Sequence, residues 1–196
     1  ASPILNLKIF SIPTFRTGAL LVMLDFGIIL ATMYLLPMYI QNGLLLPVAL
    51  TGIIMLPGGI INAATSAFAG RMFDRLGART PALIGFIIAL VGAVMLAFTS
   101  HSSSTAYVIA AHVILMIGCP LAMSPAQTYA LSVLNGAQSA DGSTIMNTLQ
   151  QIIGAIATAI ATSLLGLGTA ASTSANKADA FTGGVHYGIY FVIILI

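Results

Sequence analysis

Long apolar runs separated by short polar stretches dominate this chain. Five runs are long enough to cross a bilayer as helices, which takes about 20 residues each, and a shorter run closes the sequence. Together they predict six helices, at about 15–40, 47–69, 81–99, 105–134, 143–168 and 185–196. Because the last run is too short for a full crossing, we expect the sixth helix to be truncated.

Turn-forming and polar residues occupy the gaps between the runs. They lie at 42–43, 70–79, 101–104, 135–142 and 170–184. The pattern therefore predicts an all-α polytopic membrane protein, with residues 1–196 forming one six-helix transmembrane bundle. Six helices also divide into two triplets, roughly 15–99 and 105–196, and three-helix repeats of inverted topology are a common plan in transporters.

Composition supports the membrane assignment. Charged residues are 5% of the chain and apolar residues 59%, and the mean hydropathy is +1.07, whereas soluble domains contain about 25% charged residues. Six basic residues without a basic face are too few to bind nucleic acid. Cys119 is the single cysteine, which excludes a disulfide within the chain and a metal site built on paired cysteines.

The distribution of basic residues predicts an orientation in the membrane. The segment Gly70–Arg79 holds three of the six basic residues, and short cytoplasmic loops are enriched in Lys and Arg. If this segment is cytoplasmic, Lys8 and Arg16 lie on the same side, because two crossings separate them from it. Lys177 is then the one basic residue outside. We expect a multi-pass protein of the plasma membrane, with the N-terminus and the 70–80 loop in the cytoplasm.

The segment Gly70–Arg79 also follows the pattern G-x-x-x-D-R-x-G-x-R. This pattern resembles the cytoplasmic loop signature of the major facilitator superfamily of secondary transporters. The resemblance implies a conformational latch that biases the inward–outward equilibrium, formed by Gly70, Asp74, Arg75, Gly77 and Arg79. On physical grounds alone, a plain positive loop whose glycines serve the turn explains the segment equally well. The family often has a second basic residue where Ala78 stands.

A wider resemblance covers nearly the whole chain. Leu36-Pro37, the segment Leu56-Pro57-Gly58-Gly59 and the segment 142–155 are similar to the C-terminal region of fourteen-helix drug:proton antiporters, which often have Arg where Gln150 stands. The resemblance implies the six-helix half of a facilitator-type transporter, whose partner is an N-terminal part of six or eight helices or a second copy. It also implies small amphipathic, often cationic substrates, with the proton gradient as energy source and no cofactor.

Asp25 is the first candidate for a proton or substrate path. It lies well inside the first apolar run, where an aspartate costs about 2.5–3.5 kcal/mol to insert and usually faces a cavity or a partner. A carboxyl group away from water favours its protonated form, as proton coupling requires. The alternative is that Asp25 lies nearer the cytoplasmic surface and pairs with a residue such as Arg16.

Four further polar residues are candidates for the same path. His112 lies in the fourth run, in line with Met116, Cys119 and Met123. An imidazole can exchange a proton near neutral pH, which would suit a proton path. The alternative is a buried neutral histidine bonded to a neighbouring helix. In the fifth run, polar and small residues at helical spacing form a stripe on one face: Asn147, Gln151, Gly154, Thr158 and Ala161. Asn62 belongs to a comparable stripe of the second run. Such stripes line cavities or serve helix packing, and we assign Gly154, Thr158 and Ala161 to packing.

Other functional classes find less support. The chain has no P-loop, no G-x-S-x-G elbow and no metal-binding histidine pair, so we expect neither an enzyme nor a metal site. A facilitator for another metabolite remains open, because the loop pattern does not specify a substrate. A non-transporting membrane module that binds a partner through its small-residue faces also remains open.

Overall fold

A computed structural model describes residues 7–196, with the side chains of Leu7 and Ala137 left undescribed. All regular elements in this part of the chain are helices. A short 3-10 turn at Leu7–Ser11 precedes the first long helix. The long helices are α1 (Pro13–Met38), α2 (Val48–Leu76), α3 (Arg79–Ala97), α4 (Thr105–Ser132), α5 (Gly136–Ala171) and α6 (Lys177–Leu195), and a π-helical turn at Tyr39–Gly43 extends α1.

All six helices are long and apolar enough to span a bilayer. The prediction of an all-α, six-helix polytopic protein is therefore confirmed, and the chain is a multi-pass membrane protein. The expected cytoplasmic N-terminus falls in part on residues 1–6, which lie outside the described residues.

The sixth helix differs from the expectation. Sequence analysis began it at Val185 as a truncated crossing, whereas α6 begins at Lys177 and is 19 residues long. Asn176 caps the helix by accepting a hydrogen bond from the backbone N–H of Ala178 at 2.9 Å, and the small residues that resemble a turn in the sequence lie inside the helix. Gly183 and Gly184 are tolerated there because Gly184 packs directly against Thr169 of α5.

Two expected loops are also shorter than predicted. Between α2 and α3, the charged segment remains helical to Leu76, and Gly77 and Ala78 alone form the connection. Gly77 has a φ of 71° and a ψ of −171°, a backbone conformation that is essentially restricted to glycine. Before α5, a capping box of Asn135 and Gln138 starts the helix at Gly136, so most of the predicted 135–142 turn is helical.

The first helix of each triplet packs against helices of the other triplet. α1 packs against α5 and α6 of the second triplet, α4 packs against α2 and α3 of the first, and α1 and α4 contact each other at the centre. This reciprocal arrangement is the one expected of two three-helix repeats. Half of the apolar window of α1 and 56% of that of α4 are buried, compared with 17% for α2 and 28% for α5. The faces of α2 and α5 that point away from this bundle are therefore largely open.

Glycines allow a close helix contact in the seam between α3 and α4. A Cβ atom on Gly85 would lie 2.7 Å from the carbonyl oxygen of Gly118, and one on Gly92 would lie 2.8 Å from the Cα atom of Leu115. Side chains at these positions would force the two backbones apart. Small residues that permit such approach are the usual basis of helix packing in membranes.

Candidate functional site

A groove runs between α1, α2 and α4 and is formed by two adjoining cavities that share Ile29 and Asn62. One cavity has a volume of about 280 Å³ and the other, nearer the α2–α3 connection, about 230 Å³. We call the whole feature the α1–α2–α4 groove. The first cavity is lined by Ile29, Leu30, Met33, Met55, Gly59, Asn62, His112 and Met116, and the second adds Ser66, Pro120, Met123, Ser124 and Gln127.

His112 projects from α4 into this groove and against α2. Its ring packs directly on Gly58 of α2, where a Cβ atom would collide with the imidazole. The residue is 1% exposed, and neither ring nitrogen has a hydrogen-bond partner among residues 7–196. The sequence alternative of a histidine bonded to a neighbouring helix therefore does not describe the structure.

Asn62 lies on the opposite wall of the groove, in α2. Its side-chain Nδ2 approaches the Sδ atom of Met116 at 3.6 Å, a weak contact, because a thioether is a poor acceptor. Met33 and Met55 complete a thioether-rich wall around His112. The groove thus combines a polarisable apolar surface with a few hydrogen-bonding groups.

Asp25 lies between α1 and α4 rather than in the groove. The residue is 0% exposed, and neither carboxylate oxygen has a hydrogen-bond partner in the part of the chain that the structure describes. The thiol of Cys119 is the polar group that faces it from α4, although the two do not meet hydrogen-bond geometry. Arg16 is exposed and does not pair with Asp25, so the alternative of an interfacial ion pair is wrong.

The polar residues of α5 are arranged differently from the predicted stripe. Asn147 and Gln151 are exposed on the open face of α5 and do not line the α1–α2–α4 groove. Gln150 instead points into the bundle, 5% exposed, with its Nε2 atom unpartnered. Sequence analysis did not place Gln150 among the site candidates, although it shares a helix face with the buried Met146 and Ala157.

The small residues of that stripe serve helix packing, as predicted. Gly154 is buried, and a Cβ atom there would lie 3.1 Å from the ring of Phe26 on α1. Ala161 is fully buried, and the Thr158 hydroxyl donates to the carbonyl oxygen of Gly154 at 2.9 Å. Gly154 thus brings α5 close to α1, whereas the Thr158 hydroxyl is paired within its own helix.

The latch candidates cluster at the α2–α3 connection. Asp74 and Arg75 are exposed in the last turn of α2, and Arg79 is the exposed first residue of α3. Gly77 forms the connection, with its N–H donating to the carbonyl oxygen of Phe73 at 2.9 Å, and Gly70 lies inside α2. Asp74 does not cap α3, whose first residue follows Ala78 without a side-chain cap. The latch function of these residues stays a prediction.

A polar network that sequence analysis missed lies at the end of the bundle away from the α2–α3 connection. The Tyr39 hydroxyl donates to the carbonyl oxygen of Ser100 at 2.6 Å, and Nε2 of His186 lies 2.7 Å from the carbonyl oxygen of Thr99. On the surface, His101 and Asp179 pair at 3.2 Å. These contacts join the end of α1, the α3–α4 connection and the start of α6. They hold the end of the bundle together where α1, α3 and α6 meet.

The described residues contain no group of three or more His, Cys, Asp or Glu side chains that could hold a metal ion.

Comparisons with known proteins agree with this geometry. Residues 1–158 match the Major Facilitator Superfamily. The chain is 43% identical over 166 residues to the lincomycin resistance protein LmrB of Listeria monocytogenes, covering 85% of this chain and 35% of that protein. It is 39% identical over 201 residues to LmrB of Bacillus subtilis, covering 98% of this chain and 42% of that protein. It is also 26% identical over 165 residues to the multidrug resistance protein Stp of Mycobacterium tuberculosis, covering 84% of this chain and 30% of that protein. The chain thus spans less than half the length of the curated relatives it matches.

Proposed function

The chain belongs to the Major Facilitator Superfamily, and we propose that it forms one half of a drug efflux carrier driven by a proton gradient. The observation that carries the proposal is the α1–α2–α4 groove, with the unpartnered His112 on its wall and the unpartnered Asp25 buried beside it. Relatives described as lincomycin and multidrug resistance proteins support the efflux of drugs. In this proposal the substrates are small amphipathic compounds.

The share of the relatives' length that this chain spans supports a carrier with a second half. The open faces of α2 and α5, which are the least buried helices, are where a second half would dock. The two halves would rock around a site at the level of the groove, as alternating access requires. A second copy of this chain is the alternative occupant of those faces, and the mass of the protein corrected for detergent separates the two cases.

Asp25 is the proposed proton carrier. A carboxyl group without partners in the membrane interior is unfavourable when charged, so loss of its proton must be tied to a rearrangement that hydrates or pairs it. Its position between α1 and α4, the two central helices, allows such a rearrangement to change the shape of the groove. The proton gradient supplies the energy, and no cofactor is required.

The orientation of the chain in the membrane belongs to the same proposal. With the α2–α3 connection in the cytoplasm, Arg71, Arg75 and Arg79 face the side that is rich in positive charge. The exposed Asp74 and Arg75 are then free to contact the second half and act as the latch. Labelling of cysteines introduced at Ala78 and Ala175 by a membrane-impermeant thiol reagent tests this orientation, because the reagent should reach Ala78→Cys only from the cytoplasmic side and Ala175→Cys only from the outside.

Proton-driven efflux in inverted membrane vesicles tests the central proposal. Vesicles containing the complete carrier should accumulate a fluorescent amphipathic drug when acidified inside, and Asp25→Asn should reduce this pH-driven transport at least tenfold. Asp179→Asn is the matched control, because Asp179 is exposed and pairs with His101 far from the groove. It should retain wild-type transport.

The result depends on equal amounts of folded carrier in each membrane. Retained pH-driven transport in a well-folded Asp25→Asn variant would remove Asp25 from the coupling path and transfer that role to another group. Absence of transport by the wild-type carrier across a range of drugs would reject efflux itself and leave the partner-binding module as the better explanation.

A further inference from the structure

We propose that the α1–α2–α4 groove recognises an uncharged hydrogen-bonding group of its ligand through His112, and not the positive charge of a cation. This inference rests on the proposed efflux function and defines its substrate class further. The ligand would have an apolar, polarisable body with a hydroxyl or amide group placed against the imidazole.

The first argument is the unmet hydrogen-bonding capacity of His112. Both ring nitrogens are buried without partners among the described residues, and a buried polar group without a partner destabilises the folded state. A neutral imidazole offers one N–H donor and one acceptor nitrogen, which match a hydroxyl or amide group. The ring borders the groove and packs on Gly58, so rotation of the ring away from Gly58 would present its nitrogens to a ligand, which would recover the lost hydrogen bonds.

The second argument is the absence of negative charge from the groove. The four acidic residues of the chain are Asp25, Asp74, Asp141 and Asp179, and none of them lines the groove in the described part of the chain. Asp25 is the nearest along α1, one turn before Ile29, but it is fully buried between α1 and α4. A cation transferred from water into such a site would lose hydration without gaining an opposite charge from this half of the carrier.

The third argument is the chemistry of the surrounding wall. Met33, Met55 and Met116 surround His112 together with Ile29 and Leu30. Thioethers are polarisable and adapt to irregular apolar shapes, and they contact aromatic rings favourably. The wall therefore suits the apolar body of an amphipathic ligand, while His112 orients its polar group.

The separation of Asp25 from the groove has a mechanistic consequence. The proton and the ligand occupy different sites in this half, so they do not compete directly for one carboxyl group. Coupling between them has to pass through the contact of α1 with α4, which both sites share.

Two ligands built on one aromatic body test the proposal. Anthracene-methanol carries a hydroxyl group, and its trimethylammonium analogue carries a permanent positive charge and no hydrogen-bond donor. Binding of each to the purified complete carrier is measured by fluorescence, for wild type, His112→Leu and His112→Gln. His101→Gln, which changes an exposed histidine outside the groove, is the control.

We expect His112→Leu to weaken binding of the hydroxyl compound about tenfold, the equivalent of about 1.4 kcal/mol or roughly one hydrogen bond. Binding of the trimethylammonium compound should change by less than about twofold, since shape and apolar contact are kept. His112→Gln, which keeps a donor and an acceptor, should recover most of the lost affinity. His112→Met provides a second apolar variant if His112→Leu does not accumulate as folded protein.

Equal weakening of both compounds by the folded apolar variants would overturn the inference, because it would reduce His112 to a packing residue. A wild-type preference for the trimethylammonium compound that is lost in Asp25→Asn would also overturn it, while the efflux proposal would stand. A wild-type carrier that binds neither compound nor any transported drug would reject the groove as a ligand site and the proposed function with it.

Discussion

The two seams that α4 forms with α3 and with α2 show how one helix serves packing on one side and a candidate site on the other. Toward α3, backbone meets backbone: a Cβ atom on Gly85 would lie 2.7 Å from the carbonyl oxygen of Gly118. Toward α2, a single glycine makes room for a side chain, because the His112 ring fills the space above Gly58. At these glycines the first seam leaves no space for a side chain, and the second seam opens into the α1–α2–α4 groove.

The difference lies in what a glycine makes possible. Paired glycines on both helices remove side chains from the contact, and the backbones then lock at short range. A glycine on one helix alone creates a recess for the neighbour's side chain, and here that side chain is polar and unpartnered. The seam to α3 therefore contributes stability, whereas the seam to α2 retains groups that a ligand can use. Substitutions that add a single methyl group distinguish these two roles.

The largest effect is expected from Gly118→Ala in the α3 seam. Its Cβ atom would lie 2.7 Å from the Cα atom of Ala89, and backbone atoms cannot rotate away as side chains can. We expect a loss of about 3 kcal/mol or more in the free energy of unfolding, at the upper end of overpacking effects, seen as a lower Tm and less monodisperse protein in detergent. Gly52→Ala is the control, because no atom lies within 4 Å of the added methyl group. A Gly118→Ala variant as stable as this control would show that the seam is looser than described.

An intermediate effect is expected from Gly58→Ala in the α2 seam. The added methyl group meets the His112 ring, which can rotate, so the stability loss should be about 1 kcal/mol. Displacement of the ring should nevertheless weaken binding of anthracene-methanol about fivefold. Gly52→Ala changes a residue of the same helix outside the groove, where nothing lies within 4 Å of the added methyl group, and should leave both quantities unchanged. If Gly58→Ala bound the ligand as wild type does, the position of the His112 ring would not determine ligand recognition.

The smallest effect is expected from Asn62→Leu on the opposite wall. The contact of Nδ2 with the Sδ atom of Met116 at 3.6 Å is weak, and the residue is half-buried, so the free energy of unfolding should change by less than about 0.5 kcal/mol. Ligand affinity should change by about twofold or less, as measured by the same fluorescence titration. A loss as large as that of His112→Leu would make Asn62 a second polar contact of the ligand.

Much of the fold could be predicted from the sequence because the bilayer imposes strict requirements. Apolar runs of sufficient length must be helices in the membrane, where every backbone polar group needs an internal partner. Boundaries were harder to predict. Glycine, alanine and threonine near 177–184 resemble a turn in composition, yet they form the start of α6, because a membrane helix packed on its neighbours tolerates small residues that weaken an isolated helix.

The candidate site was predicted in part. Asp25 and His112 stand out in the sequence as titratable residues inside apolar runs, and both are buried without partners. The choice between Gln150 and Gln151 could not be made in the same way. The two amides are adjacent, and one residue along a helix rotates a side chain by about 100°, so the direction in which α5 packs decides which of them is buried.

The sequence by itself determined that this is a six-helix membrane protein of the facilitator type, because hydropathy and the charged motif are properties of local sequence. Tertiary structure alone decided that α1 and α4 lie at the centre and that His112 faces a groove while Asp25 faces Cys119. Helices that are apolar on all sides carry little information about which face packs inward. That choice depends on close contacts between distant segments, such as Gly58 with His112 and Gly85 with Gly118, which form only when the helices assemble.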